Sequence, residues 1–204
     1  MVSAIPLCYS GHTSLNYRPY DATVNSTMES LSRTASELSI PERTLRRAAA
    51  DGLVRGERVS PRRFRITFRE EAYLRSHWGL LRALRAALRT EPNVRFALLF
   101  GSTATGSDDE RSDVDVLVVL NDPNVGRLAE LTERLSRGIG REVQLVRLSE
   151  AQNSPVLMVD IVDQGRVLVD REDLWPGLRK AAQRWRRLAR SVERSTPAVI
   201  APQR

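Results

Sequence analysis

Two aspartates, Asp113 and Asp115, stand two residues apart at the start of an apolar run. Alternate residues of a β-strand point to the same face, so this spacing predicts two neighbouring carboxylates. Neighbouring carboxylates repel each other unless a cation lies between them, and Mg²⁺ prefers hard oxygen ligands of this kind. The pair therefore predicts a divalent-metal site for Mg²⁺ or Mn²⁺.

A possible phosphate-binding turn precedes the aspartates. The apolar runs at 96–100 and 114–120 predict two buried strands, and Gly101-Ser102 directly follows the first of them. A Gly-Ser turn lets backbone N–H groups approach a phosphate without obstruction by a side chain. A phosphate-binding turn one strand away from a metal pair predicts a nucleotide site, with an NTP as substrate or ligand.

The order of these residues resembles the signature of the DNA polymerase β-like nucleotidyltransferase superfamily, in particular its minimal nucleotidyltransferases. The match runs through Gly101, Ser102, Gly106, Ser112, Asp113 and Asp115. The resemblance implies that the two aspartates bind metal and are catalytic, and that the glycines and serines bind nucleotide. An isolated Asp-x-Asp would be read as a solvated strand end, but here the two glycines and both strands are in register with it.

The resemblance also implies a third carboxylate on the next strand, and at that position the chain has Gln144. A neutral amide binds a hard cation more weakly and cannot act as a base, so we place Gln144 among the nucleotide-binding residues. Glu142, two residues earlier, is either a catalytic substitute or a solvated strand residue. Thr105 is a second departure, because minimal nucleotidyltransferases often have arginine there. The site either transfers nucleotides with a rearranged metal cluster or binds nucleotide without turnover.

The region 26–67 has the pattern of a winged helix-turn-helix. Helical spacing from Met28 to Leu38 is broken before Pro41, and a second helix is predicted over Glu42 to Ala50. A basic segment around Ser60-Pro61 then alternates like a β-hairpin. The predicted DNA contacts lie on the second helix and on the hairpin: Arg43, Thr44, Arg46, Arg47, Arg58, Arg62 and Arg63. The competing interpretation is a small helical cap whose arginines are only solvated.

Over about residues 26 to 170 the chain resembles bacterial and archaeal proteins that fuse a winged helix-turn-helix to a minimal nucleotidyltransferase. The predicted fold class is α/β (α+β), with a small mixed-sheet nucleotidyltransferase domain. The predicted order is a disordered segment (1–25), the winged helix-turn-helix (26–68), a linker helix (69–90), the nucleotidyltransferase-like domain (91–172), and a basic C-terminal helix and tail (173–204).

The resemblance implies nucleotidyl transfer to a hydroxyl on RNA or protein. It also implies that the protein is a toxin–antitoxin-type regulator with a toxin or antitoxin partner. The competing hypothesis is a catalytically weak or inactive DNA-binding regulator that senses nucleotide. Because helix-turn-helix proteins usually bind paired half-sites, we also predict a homodimer. The apolar stripe of the linker helix would either pair two copies or pack on the sheet of its own domain.

Composition sets the remaining expectations. The net charge of +7 and the pI of about 10.6 favour anionic partners. Cys8 is the only cysteine, which fits a reducing cytoplasm, and no apolar run approaches the length of a membrane span. Downstream of the metal pair, the pattern predicts a strand over 142–147, a turn at 163–166, a short strand at 167–170 and one helix over 174–192.

Overall fold

The computed structural model describes residues 28–60 and 63–195 of the chain. The N-terminal elements are β1 (Met28–Ser30), α1 (Leu31–Glu37), α2 (Glu42–Ala50), β2 (Glu57–Ser60), β3 (Arg63–Thr67) and α3 (Phe68–Arg89). The central elements are β4 (Val94–Phe100), α4 (Gly101–Thr105), β5 (Val114–Leu120), α5 (Val125–Ile139) and β6 (Val143–Arg147). The C-terminal elements are α6 (Leu148–Ala151), α7 (Pro155–Gln164), β7 (Arg166–Asp170), α8 (Leu174–Lys180) and α9 (Ala182–Ser195).

The N-terminal strands form a three-stranded antiparallel sheet in the order β1-β3-β2, and helices α1 and α2 lie between β1 and β2 in the chain. Helix α2 buries Leu45, Ala48 and Ala49, which are the three residues that its periodicity assigns to the inner side. Met28 lies in β1, so α1 is shorter than its apolar spacing predicts. The winged helix-turn-helix and its boundaries stay a prediction.

Helix α3 connects these elements to the second sheet. Thr67 caps it, because the Thr67 side chain accepts a hydrogen bond of 3.2 Å from the backbone N–H of Glu70. Its apolar stripe is buried within the chain: Leu74, Trp78, Leu81, Leu84 and Leu88. The stripe therefore packs against the protein's own core and does not supply a dimer surface. Homodimerisation stays a prediction without this support.

The second sheet has four strands in the order β6-β5-β4-β7. Strand β5 pairs in parallel with β6, while β4 pairs antiparallel with both β5 and β7, so the sheet is mixed as predicted. The strand β4 alternates between two cores: Ala97 and Leu99 face the core shared with α3, whereas Phe96, Leu98 and Phe100 face the helices that follow β6. The predicted α/β fold class is confirmed.

Two local predictions after β6 are wrong. Asp163 and Gln164 belong to the end of α7 rather than to a turn, and Arg166 is the first residue of β7. The basic C-terminal segment is two helices, because α8 ends at Lys180 and α9 begins after Ala181. None of the helices in the described ranges combines the length and hydrophobicity that a membrane crossing requires.

Candidate functional site

The end of β4 and the start of β5 place the predicted turn beside the predicted metal pair. Phe100, the last residue of β4, pairs with Asp115. Gly101 follows with a φ of +72°, and a Cβ added to it would lie 2.3 Å from Oδ2 of Asp115. Only glycine combines that backbone conformation with such a close approach. The glycine of the signature is therefore required by the carboxylate that packs on it.

Substituting Gly101 with alanine is expected to destabilise the protein by about 2 kcal/mol or more, because a left-handed conformation and a steric clash add together. Thermal unfolding and ATP binding measure the effect. Gly138→Ala is the matched control, because a Cβ there meets nothing within 4 Å. Gly138 lies inside α5, so that substitution should leave stability unchanged or raise it. Equal melting temperatures for the two variants would contradict the packing described here.

The electrostatics of the pair are unfavourable without a cation. Asp115 is half-buried, and this burial, followed by the charge of Asp113, raises the pKa of Asp115 to about 6. Asp113 immediately precedes β5 and is exposed. A divalent cation would neutralise the repulsion and favour the ionised form of both groups.

The position of the expected third carboxylate is occupied by Gln144. In the parallel ladder Gln144 pairs with Asp115, and its side chain is exposed. Glu142 lies just before β6, where its carbonyl oxygen accepts a hydrogen bond of 2.8 Å from the backbone N–H of Val114. Across the described ranges, no three His, Cys, Asp or Glu side chains converge as metal ligands, so Glu142 does not complete a triad with the aspartates. Two carboxylates with an adjacent amide still suit Mg²⁺, which commonly keeps water and phosphate oxygens as its other ligands.

The other two residues of the signature shape the loop before Asp113. Gly106 has a φ of +77°, and a Cβ there would lie 2.9 Å from Cδ2 of Tyr73. Ser112 donates a hydrogen bond of 2.8 Å to Oδ1 of Asp109 and accepts one of 3.0 Å from the Asp109 N–H. In this structure the side chain of Ser112 closes the loop, while its nucleotide-binding role stays a prediction.

Arg141 secures the same loop, and no local pattern in the sequence indicates this role. Its guanidinium donates to Oδ2 of Asp108 at 2.9 Å and to the carbonyl oxygen of Ser112 at 2.6 Å. Nε2 of His77 lies 2.8 Å from the other oxygen of Asp108. Burial alone would raise the pKa of Asp108, but the bonds from His77 and Arg141 lower it below its usual value. The Asp108 carboxylate thus connects α3 to the loop that leads to Asp113.

Helix α4 is held in place by Arg166, which forms a buried ion pair with Glu70. Arg166 is 1% exposed, and its two terminal nitrogens lie 2.6 and 2.9 Å from the Glu70 carboxylate. Nε of Arg166 donates to the carbonyl oxygen of Ala104 at 2.7 Å, and the Tyr73 hydroxyl donates to that of Thr103 at 3.1 Å. The guanidinium also stacks 3.5 Å from the centre of the Tyr73 ring. The Gly-Ser turn is therefore held by residues of α3 and β7 that are distant in sequence.

The predicted DNA contacts belong to the N-terminal elements and not to this loop. The side chains of Arg43, Thr44, Arg46, Arg47 and Arg58 are exposed. The backbone of Arg63 belongs to β3, and Arg62 lies outside the described residues. The structure thus leaves the outer side of α2 basic and accessible, while contact of these residues with DNA stays a prediction.

A family model described as "Polymerase beta, Nucleotidyltransferase" matches residues 82–174 of the chain. The match supports the nucleotidyltransferase portion of the resemblance for these residues, which contain the Gly-Ser turn and both aspartates. Over 79 residues the chain is 35% identical to "Protein adenylyltransferase MntA" of Shewanella oneidensis. The similarity covers 38% of this chain and 55% of that relative, so it spans about half of the relative's length.

Two of the solved structures with similar chains are toxin–antitoxin structures. A toxin–antitoxin crystal structure with AMP-PNP is 25% identical, covers 59% of this chain and 94% of that chain, and has a TM-score of 0.46. A structure of tri-AMPylated Shewanella oneidensis HEPN toxin in complex with MNT antitoxin is 22% identical, covers 63% and 95% of the two chains, and has a TM-score of 0.41.

Proposed function

We propose that this nucleotidyltransferase-fold protein transfers a nucleotidyl group from an NTP, ATP first among them, to a hydroxyl group of a protein. The observation that carries the proposal is the packing of the Asp115 carboxylate on Gly101. It supports a site in which a carboxylate that would bind metal lies against the turn expected to bind phosphate. The 35% identity to a protein adenylyltransferase supports both the adenine nucleotide and the protein acceptor.

Asp113 and Asp115 are the residues that would hold Mg²⁺ or Mn²⁺. When bound, the metal would supply positive charge that stabilises the charge developing on the phosphates of the nucleotide. The half-buried Asp115, whose pKa is raised by burial and by Asp113, fits this role because a bound cation would offset the repulsion between the two carboxylates.

The chain's own residues mainly position the reactants. Backbone groups of Gly101 and Ser102 bind the phosphates, and Gln144, beside Asp115, adds an amide that can donate to a phosphate oxygen. The acceptor oxygen attacks the α-phosphorus, the bond between that phosphorus and the bridging oxygen to the β-phosphorus breaks, and pyrophosphate leaves. The hydroxyl proton passes to solvent, since the amide of Gln144 is not a base, and positioning contributes most of the rate.

The proposal is tested by incubating the purified protein with Mg²⁺ or Mn²⁺, each α-³²P-labelled NTP in turn, total RNA and cell lysate. The control is an Asp113→Ala/Asp115→Ala variant. Label that enters protein with the wild type, but not with the variant, supports the proposal. Label in RNA overturns the protein acceptor. Metal-dependent NTP binding without any transfer leaves a nucleotide sensor as the function of the site.

Restoring a carboxylate at position 144 is expected to tighten metal binding. A Gln144→Glu substitution adds a negative charge beside Asp115, which should increase Mn²⁺ affinity about tenfold, equivalent to ~1.4 kcal/mol of added attraction. Titration of Mn²⁺ by electron paramagnetic resonance measures the change. Gln152→Glu, on an exposed residue that ends α6, is the control and should leave Mn²⁺ affinity unaltered.

The acceptor protein that we propose is a toxin of a toxin–antitoxin pair. The support is the relation to MntA, since structures bearing that name contain a toxin and an antitoxin. Co-expression with the products of neighbouring genes, followed by mass spectrometry, tests this partner. A labelled acceptor that is not encoded beside this gene would contradict it.

A second function, DNA binding, is favoured by one observation. Helix α2 buries its three inner residues while its arginines and Thr44 are exposed, which is the arrangement of a helix free to enter a groove. We propose that Arg43, Thr44 and Arg47 contact base edges. Arg46 and the hairpin arginines 58, 62 and 63 contact phosphates.

Electrophoretic shifts at several salt concentrations test this second function. An operator fragment should bind more tightly than a random duplex, and Arg47→Ala should weaken binding about tenfold, by ~1–3 kcal/mol. Arg137→Ala on α5 is the control for net charge, because the ion pair that Arg137 forms with Glu133 is exposed at the surface. Equal affinity for operator and random duplex would exclude a sequence-specific regulator.

A further inference from the structure

A cleft unrelated to the aspartate pair lies between α2, the end of α3 and the outer edge of β7. Its volume is about 560 Å³. An adjoining cavity of about 300 Å³ shares Asp51, Arg85 and Arg89 with it, so the two form one continuous cleft. Volumes in this range suit small-molecule ligands. Neither cavity is lined by any residue of the Gly-Ser turn or by Asp113 or Asp115.

One end of the cleft has an excess of positive charge. Arg47, Arg85 and Arg89 line this end together with a single carboxylate, that of Asp51. Arg85 forms an ion pair with Asp51, and Nη2 of Arg89 lies 3.6 Å from the same carboxylate. The hydroxyl-bearing Thr44 completes this end. Three guanidinium groups around one carboxylate leave the end cationic.

Arg85 in particular lacks a full set of partners. Its side chain is only 14% exposed, and its buried Nε has no hydrogen-bond partner among the described residues. Burial, followed by the charge of Arg89, lowers the pKa of Arg85. A buried donor without an acceptor is costly, and an anion bound here would accept its hydrogen bond.

The other end of the cleft is less charged than its residue types suggest. The Asp170 carboxylate accepts backbone hydrogen bonds from Leu174 at 3.0 Å and Trp175 at 2.9 Å. Arg171 donates to the carbonyl oxygen of Arg89 at 2.8 Å. Asp173 is the remaining carboxylate and is exposed. Around these groups the wall is formed by the half-buried Trp175 together with Val167, Val169 and Pro176.

We propose that this cleft binds a nucleoside phosphate at a second site, distinct from the proposed transfer site. The phosphates lie against Arg47, Arg85 and Arg89, where the three cations face one carboxylate. The nucleoside lies towards Trp175, whose indole offers a flat apolar surface on which a base can stack. A bare phosphate ion would fill only a small part of the cleft. The proposal does not depend on nucleotidyl transfer, because the two sites share no residue.

The test uses the full-length chain with Asp113→Ala/Asp115→Ala and EDTA, so that binding at the proposed transfer site is removed. ATP, AMP and inorganic phosphate are titrated separately by calorimetry and by tryptophan fluorescence. We expect ATP and AMP to saturate one site and inorganic phosphate to bind more weakly. Trp175→Phe should remove most of the fluorescence change, since the other two tryptophans, at 78 and 185, are buried.

Charge variants locate the site. Arg85→Gln or Arg89→Gln should weaken ATP binding about tenfold or more, because each removes a charge-assisted hydrogen bond. Arg89 is 58% exposed, so its substitution tests the site even if Arg85→Gln lowers the melting temperature. Arg82→Gln removes the same charge from an exposed residue of α3 that does not line the cleft, and it should leave affinity unaltered.

Several outcomes would overturn the proposal. They are the absence of nucleotide binding in the aspartate-free protein, equal affinity for ATP in the Arg89 and Arg82 variants, and inorganic phosphate binding as tightly as ATP. Binding of a DNA duplex through Arg85 and Arg89 without any binding of mononucleotides would assign the cleft to a nucleic-acid backbone instead. Failure of label transfer in the radioactive assay would leave this proposal standing.

Discussion

An Asp115→Asn variant should lose nucleotidyl transfer by roughly 100-fold or more and yet be more stable than the wild-type protein. The loss of transfer follows from removal of a proposed metal ligand. The gain in stability follows from the environment of the carboxylate, because burial and the charge of Asp113 both disfavour its ionised form. We expect a stabilisation of roughly 1–2 kcal/mol at neutral pH, after allowance for partial exposure.

The pH dependence of the stability gain tests whether it comes from the buried charge of Asp115 and its repulsion by Asp113. In the unfolded chain Asp115 ionises near its ordinary pKa of 3.8, whereas in the folded protein it keeps its proton up to a pKa of about 6. Between these values the folded state binds more protons, so the wild-type protein loses stability as pH rises from about 4 to 6. The difference in the free energy of unfolding between the Asp115→Asn variant and the wild type should be near zero at pH 4 and reach its full size above pH 6. Urea unfolding at a series of pH values, without divalent metal, measures it.

Two controls accompany this prediction. Asp113→Asn removes the charge of Asp113, which raises the pKa of Asp115 less than burial does. This variant should therefore be stabilised less than Asp115→Asn, because Asp113 itself is exposed. Addition of Mg²⁺ should stabilise the wild type but not the Asp115→Asn variant, since binding to the folded state alone raises stability. A stability gain of the same size at pH 4 and pH 7 would show that repulsion and burial of the charge are not its source.

Substitution of Glu70 by glutamine should destabilise the protein by about 3–5 kcal/mol, because it leaves the Arg166 guanidinium buried without a counterion. For a chain of this size that corresponds to a fall of about 10 °C in melting temperature. ATP binding should weaken as well, since Arg166 also donates to the carbonyl oxygen of Ala104 in α4. Calorimetric melting and nucleotide titration measure the two effects.

The exposed pair of Arg137 and Glu133 is the matched control, with both side chains more than 70% exposed. Glu133→Gln should change stability by less than about 0.5 kcal/mol. A double Glu70→Leu/Arg166→Met variant should recover part of the stability that Glu70→Gln loses, because it removes both buried charges together. If the Glu70→Gln variant had the same melting temperature as the wild type, the ion pair of Glu70 and Arg166 would be exposed to water in solution.

The parts of the fold that were predicted from the sequence are those that local patterns encode. The buried strands around the Gly-Ser turn, helix α2 and its three inner residues, and the stripe of α3 all follow from periodicity and from helix-capping residues. The register that brings Gln144 beside Asp115 was expected from the resemblance, and the ladder between β5 and β6 has this register.

Residues that act across long separations were not predicted. Arg166 was placed in a turn, yet it meets Glu70 from 96 positions away. No local pattern indicates that His77 contacts Asp108, which Arg141 also contacts. Single arginines and histidines have no periodicity, so their partners depend on how the sheet brings distant elements together. The apolar run in α7 likewise did not reveal where that helix ends, because its turn residues, Asp163 and Gln164, continue the helix.

The order of strands in the mixed sheet has a consequence for synthesis on the ribosome. Strand β4 is an inner strand, and one of its two neighbours, β7, is made only after β5, β6 and the four helices α4 to α7. Until then one edge of β4, with its Phe96 and Leu98, lacks its partner strand and offers unpaired backbone groups to other nascent chains. Nascent chains arrested before β7 has left the ribosome should therefore aggregate more than chains arrested after β7 has left it.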